Sequence, residues 1–156
     1  MIREKKHRLP PEEYRGLVVV SITACIRNRI PFFLTQDRFK VFETMLLDAL
    51  EKFNYQSEVY LFMPDHMHCI LRGSTETSDI LRAMRSFKQY SGHWLSVNHP
   101  AVRWQKDFYD RILTTELELE DCIWYMLNNP VRGGLVSNWK EYPYRGSSIH
   151  NFEEWD

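Results

Sequence analysis

Residues 17–25, LVVVSITAC, are dense in β-branched side chains and predict a first strand. From Asp37 to Phe53 the pattern changes period. Phe39, Phe42, Leu46, Leu50 and Phe53 recur at helical spacing, which gives one apolar stripe on an amphipathic helix. Residues 57–64, SEVYLFMP, and 66–73, HMHCILRG, read as two more strands. Pro64 and Asp65 supply a tight turn between them, so the two should form a hairpin. Ser78 is placed to cap a second helix running to about Ser96, with Ile80, Met84, Phe87, Trp94 and Leu95 on its stripe. Residues 103–113, RWQKDFYDRIL, alternate as a fourth strand would. Thr115 and Glu118 have capping-box spacing and open a last helix that should stop at Pro130. The resulting order, βαββαβ, is that of an α+β ferredoxin-like (RRM-like) domain: a four-stranded antiparallel sheet with one additional C-terminal helix. The whole chain, 1–156, reads as a single domain, with a charged arm over 1–16 and an irregular tail over 131–156.

Alternation assigns faces. Met67, Cys69 and Leu71 of the third strand should meet the two main helices, which leaves His66 and His68 on the other, open face. Composition narrows the class further. Hydrophobic residues make up 44% and aromatics 14%, so the chain should pack a core rather than remain disordered. No apolar run approaches the ~20 residues that span a bilayer, and the charged N-terminus lacks a signal-peptide pattern. Cys25, Cys69 and Cys122 are isolated, without paired spacing, and a reducing cytoplasm suits them. The net charge is −1, yet residues 1–115 carry 17 Lys and Arg against 13 Asp and Glu, and residues 116–156 carry 3 against 8. A basic body with an acidic end fits either a polyanion-binding surface or ordinary clustering of surface charge.

Two neighbouring imidazoles on one strand face are a common way to offer neutral nitrogens to one divalent metal. A pair of half-exposed strand histidines is the plainer reading. A metal would need a further ligand, and the last helix offers one. Tyr125 lies about 120° from the middle of that helix's core stripe, and Asn129 follows one turn later on the same edge. A boundary aromatic and a helix-end asparagine would look the same. Tyr109, Tyr142 and Tyr144 are other tyrosines to weigh.

These segments together resemble a known family. MPDHMHCIL is similar to the His-hydrophobic-His motif of the HUH single-tyrosine transposases. YMLNNPVRGGLV resembles the Tyr-x-x-x-Asn-Pro-Val-(Lys/Arg)-x-Gly segment of their REP-associated branch, and RWQKDFYDRIL resembles that branch's Trp-Gln-x-x-Phe strand. With Thr23, RNR and PFF near the N-terminus, the likeness runs from about residue 17 to 145. It implies Mg2+ or Mn2+ held by His66, His68 and Asn129, with Tyr125 as the nucleophile. That tyrosine would cleave single-stranded DNA beside a hairpin through a 5′-phosphotyrosine link. Two imidazoles and an amide are all neutral, so DNA phosphate is expected to supply part of the charge around such an ion. Lys5, Lys6, Arg8, Arg27, Arg29, Arg82, Arg85 and Lys88 are the candidate DNA contacts, although Arg82, Arg85 and Lys88 could equally just solvate their helix. Two alternatives stand beside this reading: a hairpin-binding regulator that does not cleave, and a hydrolase in which Asp65 serves as base and water attacks. The short connection before the last helix favours docking in cis, although hinge loops of this kind can also swap between subunits; the resemblance to the REP-associated branch implies a monomer, with a homodimer as the other arrangement.

Overall fold

The computed structural model describes residues 8–156. Five strands make one antiparallel sheet: β1 (Val19–Cys25), β2 (Tyr55–Met63), β3 (His66–Gly73), β4 (Tyr109–Leu113) and β5 (Arg145–Gly146), in the order β4-β1-β3-β2-β5. Helices α1 (Gln36–Lys52) and α2 (Ile80–Asn98) lie between the strands in sequence, and α3 (Glu116–Leu127) and a single turn, α4 (Asn129–Arg132), follow β4. The βαββαβ order is therefore present, with a fifth strand added from the tail.

Local chemistry explains most boundaries. Thr35 Oγ1 accepts from the Arg38 amide at 3.3 Å and starts α1. Asp79, rather than the expected Ser78, caps α2, its Oδ1 accepting from the Arg82 amide at 3.3 Å. Ser78 is instead buried and donates to the Asn54 carbonyl at 2.8 Å, which ties the end of the β3 loop to the end of α1. Thr115 caps α3 as the capping-box spacing predicts, accepting from the Glu118 amide at 3.1 Å. The helix stops at Leu127, earlier than expected. Pro130 does not end it but opens α4, where a missing N–H costs nothing. The fourth strand is also shorter than the 103–113 alternation suggests. Trp104 only bridges Ile26, and its indole N–H turns inward to the buried Ser91 hydroxyl at 2.8 Å, so pairing begins at Tyr109.

The sheet is covered on both faces. Val20, Ile22, Ala24, Tyr60, Phe62, Met67, Cys69 and Leu71 meet α1 and α2 in one core, where Phe33 packs edge-on against Phe32, Phe42 and Phe62. On the opposite face, Val19, Val59, Leu61, Met63 and Ile70 meet Leu119, Ile123, Met126 and Leu127 of α3, and also Trp139, Tyr142 and Phe152. The face that α1 and α2 leave free is thus largely covered by α3, the additional helix that the sequence allowed there, and by the tail, which is not irregular throughout. The second half of the arm contributes one side chain to the core. Tyr14 is fully buried, and its hydroxyl bonds Asp110 Oδ1 at 2.9 Å. No helix among the described residues is long and apolar enough to cross a membrane.

Candidate active site

Strand register builds the site. Thr23 pairs with His68, which pairs with Leu61; one step along, Cys25 pairs with His66, which pairs with Met63. Directly opposed residues share a face, so Thr23, Cys25, His66 and His68 all lie beneath α3. The imidazoles converge: the two Nε2 atoms are 3.0 Å apart, and the rings meet at 84°. Their other nitrogens are already engaged. His66 Nδ1 lies 2.6 Å from Asp65 Oδ1, and His68 Nδ1 lies 2.9 Å from Thr23 Oγ1. A carboxylate can only accept, so His66 carries its proton on Nδ1 and turns the Nε2 lone pair inward. The Thr23 hydroxyl can receive the proton of His68 Nδ1 in the same sense.

Two arrangements satisfy this spacing: with Thr23 donating to His68 Nδ1, His68 Nε2–H donates to His66 Nε2; with Thr23 accepting, two lone pairs face each other and call for a cation between them. Ligands at right angles on one ion, each about 2.1 Å from it, would stand about 3.0 Å apart. The pair therefore fits a divalent cation, with the neighbouring carboxylate and hydroxyl orienting the ligands. The electrostatics agree. Burial lowers the proton affinity of His66 although Asp65 opposes it. Burial first, and then His66, depress His68 to about 3. Both rings are thus neutral at physiological pH, the form that ligates. Burial would raise the pKa of Asp65, but hydrogen bonds from Arg29 and His66 overcome it and hold the carboxyl below its ordinary value. Arg29 Nε donates to Asp65 Oδ2 at 2.8 Å, so an Arg29–Asp65–His66 chain runs into the site. Among the described residues, no group of three or more His, Cys, Asp and Glu could hold a metal, so any further donor must be of another kind.

The α3–α4 corner carries the two other residues expected at such a site, Tyr125 and Asn129. The helix starts three residues after Leu113, which pairs with Val19, and its Leu119 packs in the same cluster as Val19 and Leu113. It then heads back toward the histidine end of the sheet. Nine residues of helix rise ~13 Å, about the length of the four strand steps from Val19 to Thr23. Cys122, three residues before Tyr125, lies within hydrogen-bonding reach of Ser21 on β1, two residues before Thr23. Asn129 lies beyond Tyr125 in the chain, and a Cβ at Gly133, whose amide bonds the Asn129 carbonyl at 2.9 Å, would come within 3.3 Å of the Cε of Met63, His66's row neighbour. Tyr125 is 68% exposed, on the side of α3 away from Leu119, Ile123 and Met126. The Arg132 guanidinium lies 3.6 Å over its ring, and Arg132 Nη2 donates to its carbonyl at 2.6 Å. The Asn129 carboxamide makes no hydrogen bond among the described residues.

The other candidates scatter. Tyr109 pairs with Thr23 and so shares the histidine face, whereas Tyr142 is buried with its hydroxyl on the Phe62 carbonyl. Tyr144 bonds the Leu34 carbonyl at 3.2 Å. Of the cationic candidates, Arg29 is committed to Asp65. Arg8 is paired with Asp110 and lies over the Phe108 ring, and Lys88 donates to the carbonyls of Gln105, Lys106 and Asp107 at 2.7, 3.1 and 3.2 Å. Arg82 and Arg85 are exposed on α2, across the sheet from the histidines, and Arg27 lines a groove with Trp104, Gln105 and Lys106. Lys5 and Lys6 lie outside the described residues. Sequence reasoning missed Thr23 and Arg132 as parts of the site and placed Asp65 only as a possible base. Asp65 could have been found from its position beside His66, and Arg132 from its spacing of two helical turns from Tyr125. Thr23 becomes visible only once the register is known.

Comparison with known proteins supplies a context. A family profile described as "Transposase IS200 like" matches residues 17–116, from β1 to the first residue of α3. A putative REP-associated tyrosine transposase of Haemophilus influenzae is 21% identical over 140 residues, 82% of this chain and 77% of that protein. The REP-associated tyrosine transposase of Escherichia coli K12 is 22% identical over 142 residues, 88% and 82% of the two chains. A solved structure of a REP-associated tyrosine transposase bound to a REP hairpin superposes with a TM-score of 0.77 at 19% identity, covering 90% of this chain and 81% of that one. A putative transposase from Deinococcus radiodurans gives 0.53 at 15% identity, over 82% and 97%.

Proposed function

The chain belongs to the IS200-like transposase family, and from that premise we propose that it cuts and rejoins single-stranded DNA beside a hairpin, with Tyr125 as the nucleophile. The observation that carries this reading is the convergence of His66 Nε2 and His68 Nε2 at 3.0 Å on the sheet face that α3, the helix of Tyr125, packs against. The Tyr125 oxygen attacks phosphorus and the 3′-oxygen leaves. The phenolic proton passes to solvent, the departing oxygen takes one up, and the products are a 5′-phosphotyrosine and a free 3′-OH. Because the phosphodiester energy is kept in the new ester, the reverse attack by another 3′-OH rejoins the strand without a high-energy cofactor. His66, His68 and Asn129 are the residues that would hold Mg2+ or Mn2+, which when bound polarises the phosphate and offsets the charge that builds during attack. Two imidazoles and an amide carry no charge, so the DNA phosphate itself completes the binding of the ion. Asp65 holds His66 in the ligating tautomer, and the Thr23 hydroxyl accepts from His68 Nδ1 when that ring ligates.

The test is to incubate the protein with end-labelled single-stranded hairpin DNA, taken from repeats flanking its gene, with Mn2+ or Mg2+, and to resolve it on a denaturing gel. A metal-requiring, SDS-resistant protein–DNA band that vanishes in Tyr125→Phe, while that variant keeps its DNA affinity, is the expected result. Cleaved DNA without such a band, unchanged in Tyr125→Phe, would assign the attack to water. Tight binding with neither product would make the protein a hairpin-binding regulator.

A further inference from the structure

Arg132 has no assigned part in this chemistry, yet its placement is specific. Alpha4 turns the chain back at Pro130, and the Arg132 amide bonds the Asn128 carbonyl at 3.0 Å. The side chain then reaches back two helical turns. Its Nη2 donates to the Tyr125 carbonyl at 2.6 Å, and its Cζ sits 3.6 Å from the centroid of the Tyr125 ring. This is the closest cation-to-ring approach among the described residues; the others range from 4.3 to 5.9 Å. One guanidinium therefore holds both the ring face and the backbone carbonyl of the exposed Tyr125.

We propose that Arg132 is the positioning residue for Tyr125: its guanidinium is a plate, fixed by the tyrosine's own carbonyl, on which the phenol rests. An exposed tyrosine on a helix otherwise samples several staggered rotamers. A plate bonded to the backbone of the same residue selects among them, and its planarity suits the task in a way an ammonium does not. A displacement of about 1 Å at a nucleophile can cost ~100-fold in rate, so holding the ring bears on turnover and not on DNA affinity. The inference rests on the reading of Tyr125 as nucleophile for its kinetic consequence, whereas the stacking itself can be tested without DNA.

The experiment has two arms. In the first, NMR of the metal-free, DNA-free protein records the side-chain Cδ protons of Arg132, which ring current should shift upfield. Tyr125→Leu should abolish that shift and Tyr125→Phe should preserve it. Unshifted protons in the wild type would overturn the plate. In the second arm, single-turnover formation of the covalent adduct on hairpin DNA is followed for Arg132→Gln and Arg132→Lys. Both should react about 10- to 100-fold more slowly than wild type, with hairpin affinity within about twofold and the thermal midpoint unchanged. A Lys variant at the wild-type rate would show that charge alone suffices and overturn the proposal. So would a loss of DNA affinity that accounts for the whole loss of rate. If wild type itself forms no adduct, it is the nucleophile reading that fails, and the first arm still decides whether the plate exists.

Discussion

Replacing Asp65 with Asn tests whether the Arg29–Asp65–His66 chain prepares His66 as a ligand. The carboxylate accepts from His66 Nδ1 through Oδ1 at 2.6 Å and from Arg29 Nε through Oδ2 at 2.8 Å, so both oxygens are in use. An amide has only one oxygen. Turned toward His66, it sets its NH2 against the Arg29 N–H; turned toward Arg29, it presents the NH2 to His66 Nδ1 and drives the ring proton onto Nε2. The second arrangement removes the lone pair that would ligate. Loss of an orienting partner of this kind typically costs 10- to 100-fold in metal affinity, and the forced change of tautomer puts Asp65→Asn near the upper end, about 2.7 kcal/mol. Arg29→Gln alone should cost far less, about threefold, because its side chain is 45% exposed and its charge is screened. The double variant supplies the sharper check. Without the guanidinium, the amide oxygen is free to face His66, so the double variant should bind about tenfold better than Asp65→Asn. Mn2+ binding followed by EPR up to millimolar metal, with circular dichroism to confirm folding, reads all four proteins. Asp65→Asn with unchanged affinity, or a double variant weaker than both singles, would refute the reasoning.

Two other outcomes follow from buried polar groups. His68 is depressed to about 3, by burial first and then by His66, so between that value and the ~6.5 of an unfolded histidine the unfolded chain binds one proton more than the folded one. Stability should therefore fall as pH drops below about 6.5. Urea unfolding in metal-free buffer should show wild type losing about 1 to 1.5 kcal/mol more than His68→Gln between pH 6.5 and 5; parallel curves would contradict this. Glu58, buried on β2, takes bonds from Arg72 at 3.0 Å and His150 at 2.7 Å, which fastens the tail to the sheet. Because both partners stay partly exposed, Glu58→Ala should destabilise by about 2 to 3 kcal/mol, below the range for a fully buried pair. It should also open residues 147–156 to limited proteolysis; a tail as resistant as in wild type would argue against the clasp.

The elements with one dominant period were legible from the sequence. Alpha1 and α2 carry clean apolar stripes, and the turn at Pro64-Asp65 makes the hairpin almost unavoidable. Alternation correctly split Met67, Cys69 and Leu71 from the histidines. What escaped was set by contacts distant in sequence. Beta5 is two residues long, below any periodic signal, and exists because Tyr60 and Leu61 offer it an edge. Ser78 and Asp79 both suit an N-cap, and only the pull of the Asn54 carbonyl on Ser78 decides between them. Lys88 was a candidate for phosphate by charge alone, but three backbone carbonyls converge on it.

The covered second face carried a signal that alternation alone hides. From Val59 to Met63, β2 is apolar at every position, the mark of a strand buried on both sides rather than one. Val59, Leu61 and Met63 needed partners that α1 and α2 could not supply, and α3 and the aromatic tail provide them. Two residues between β4 and α3 leave the helix little choice but to pack on its own sheet. That packing has a chemical consequence. Met126 and Leu127 must face inward to close the core, so Tyr125, one position before them, is turned out of it and is 68% exposed. The apolar demand of β2 and the placement of the phenol are thus one constraint, and loosening the first should misplace the second.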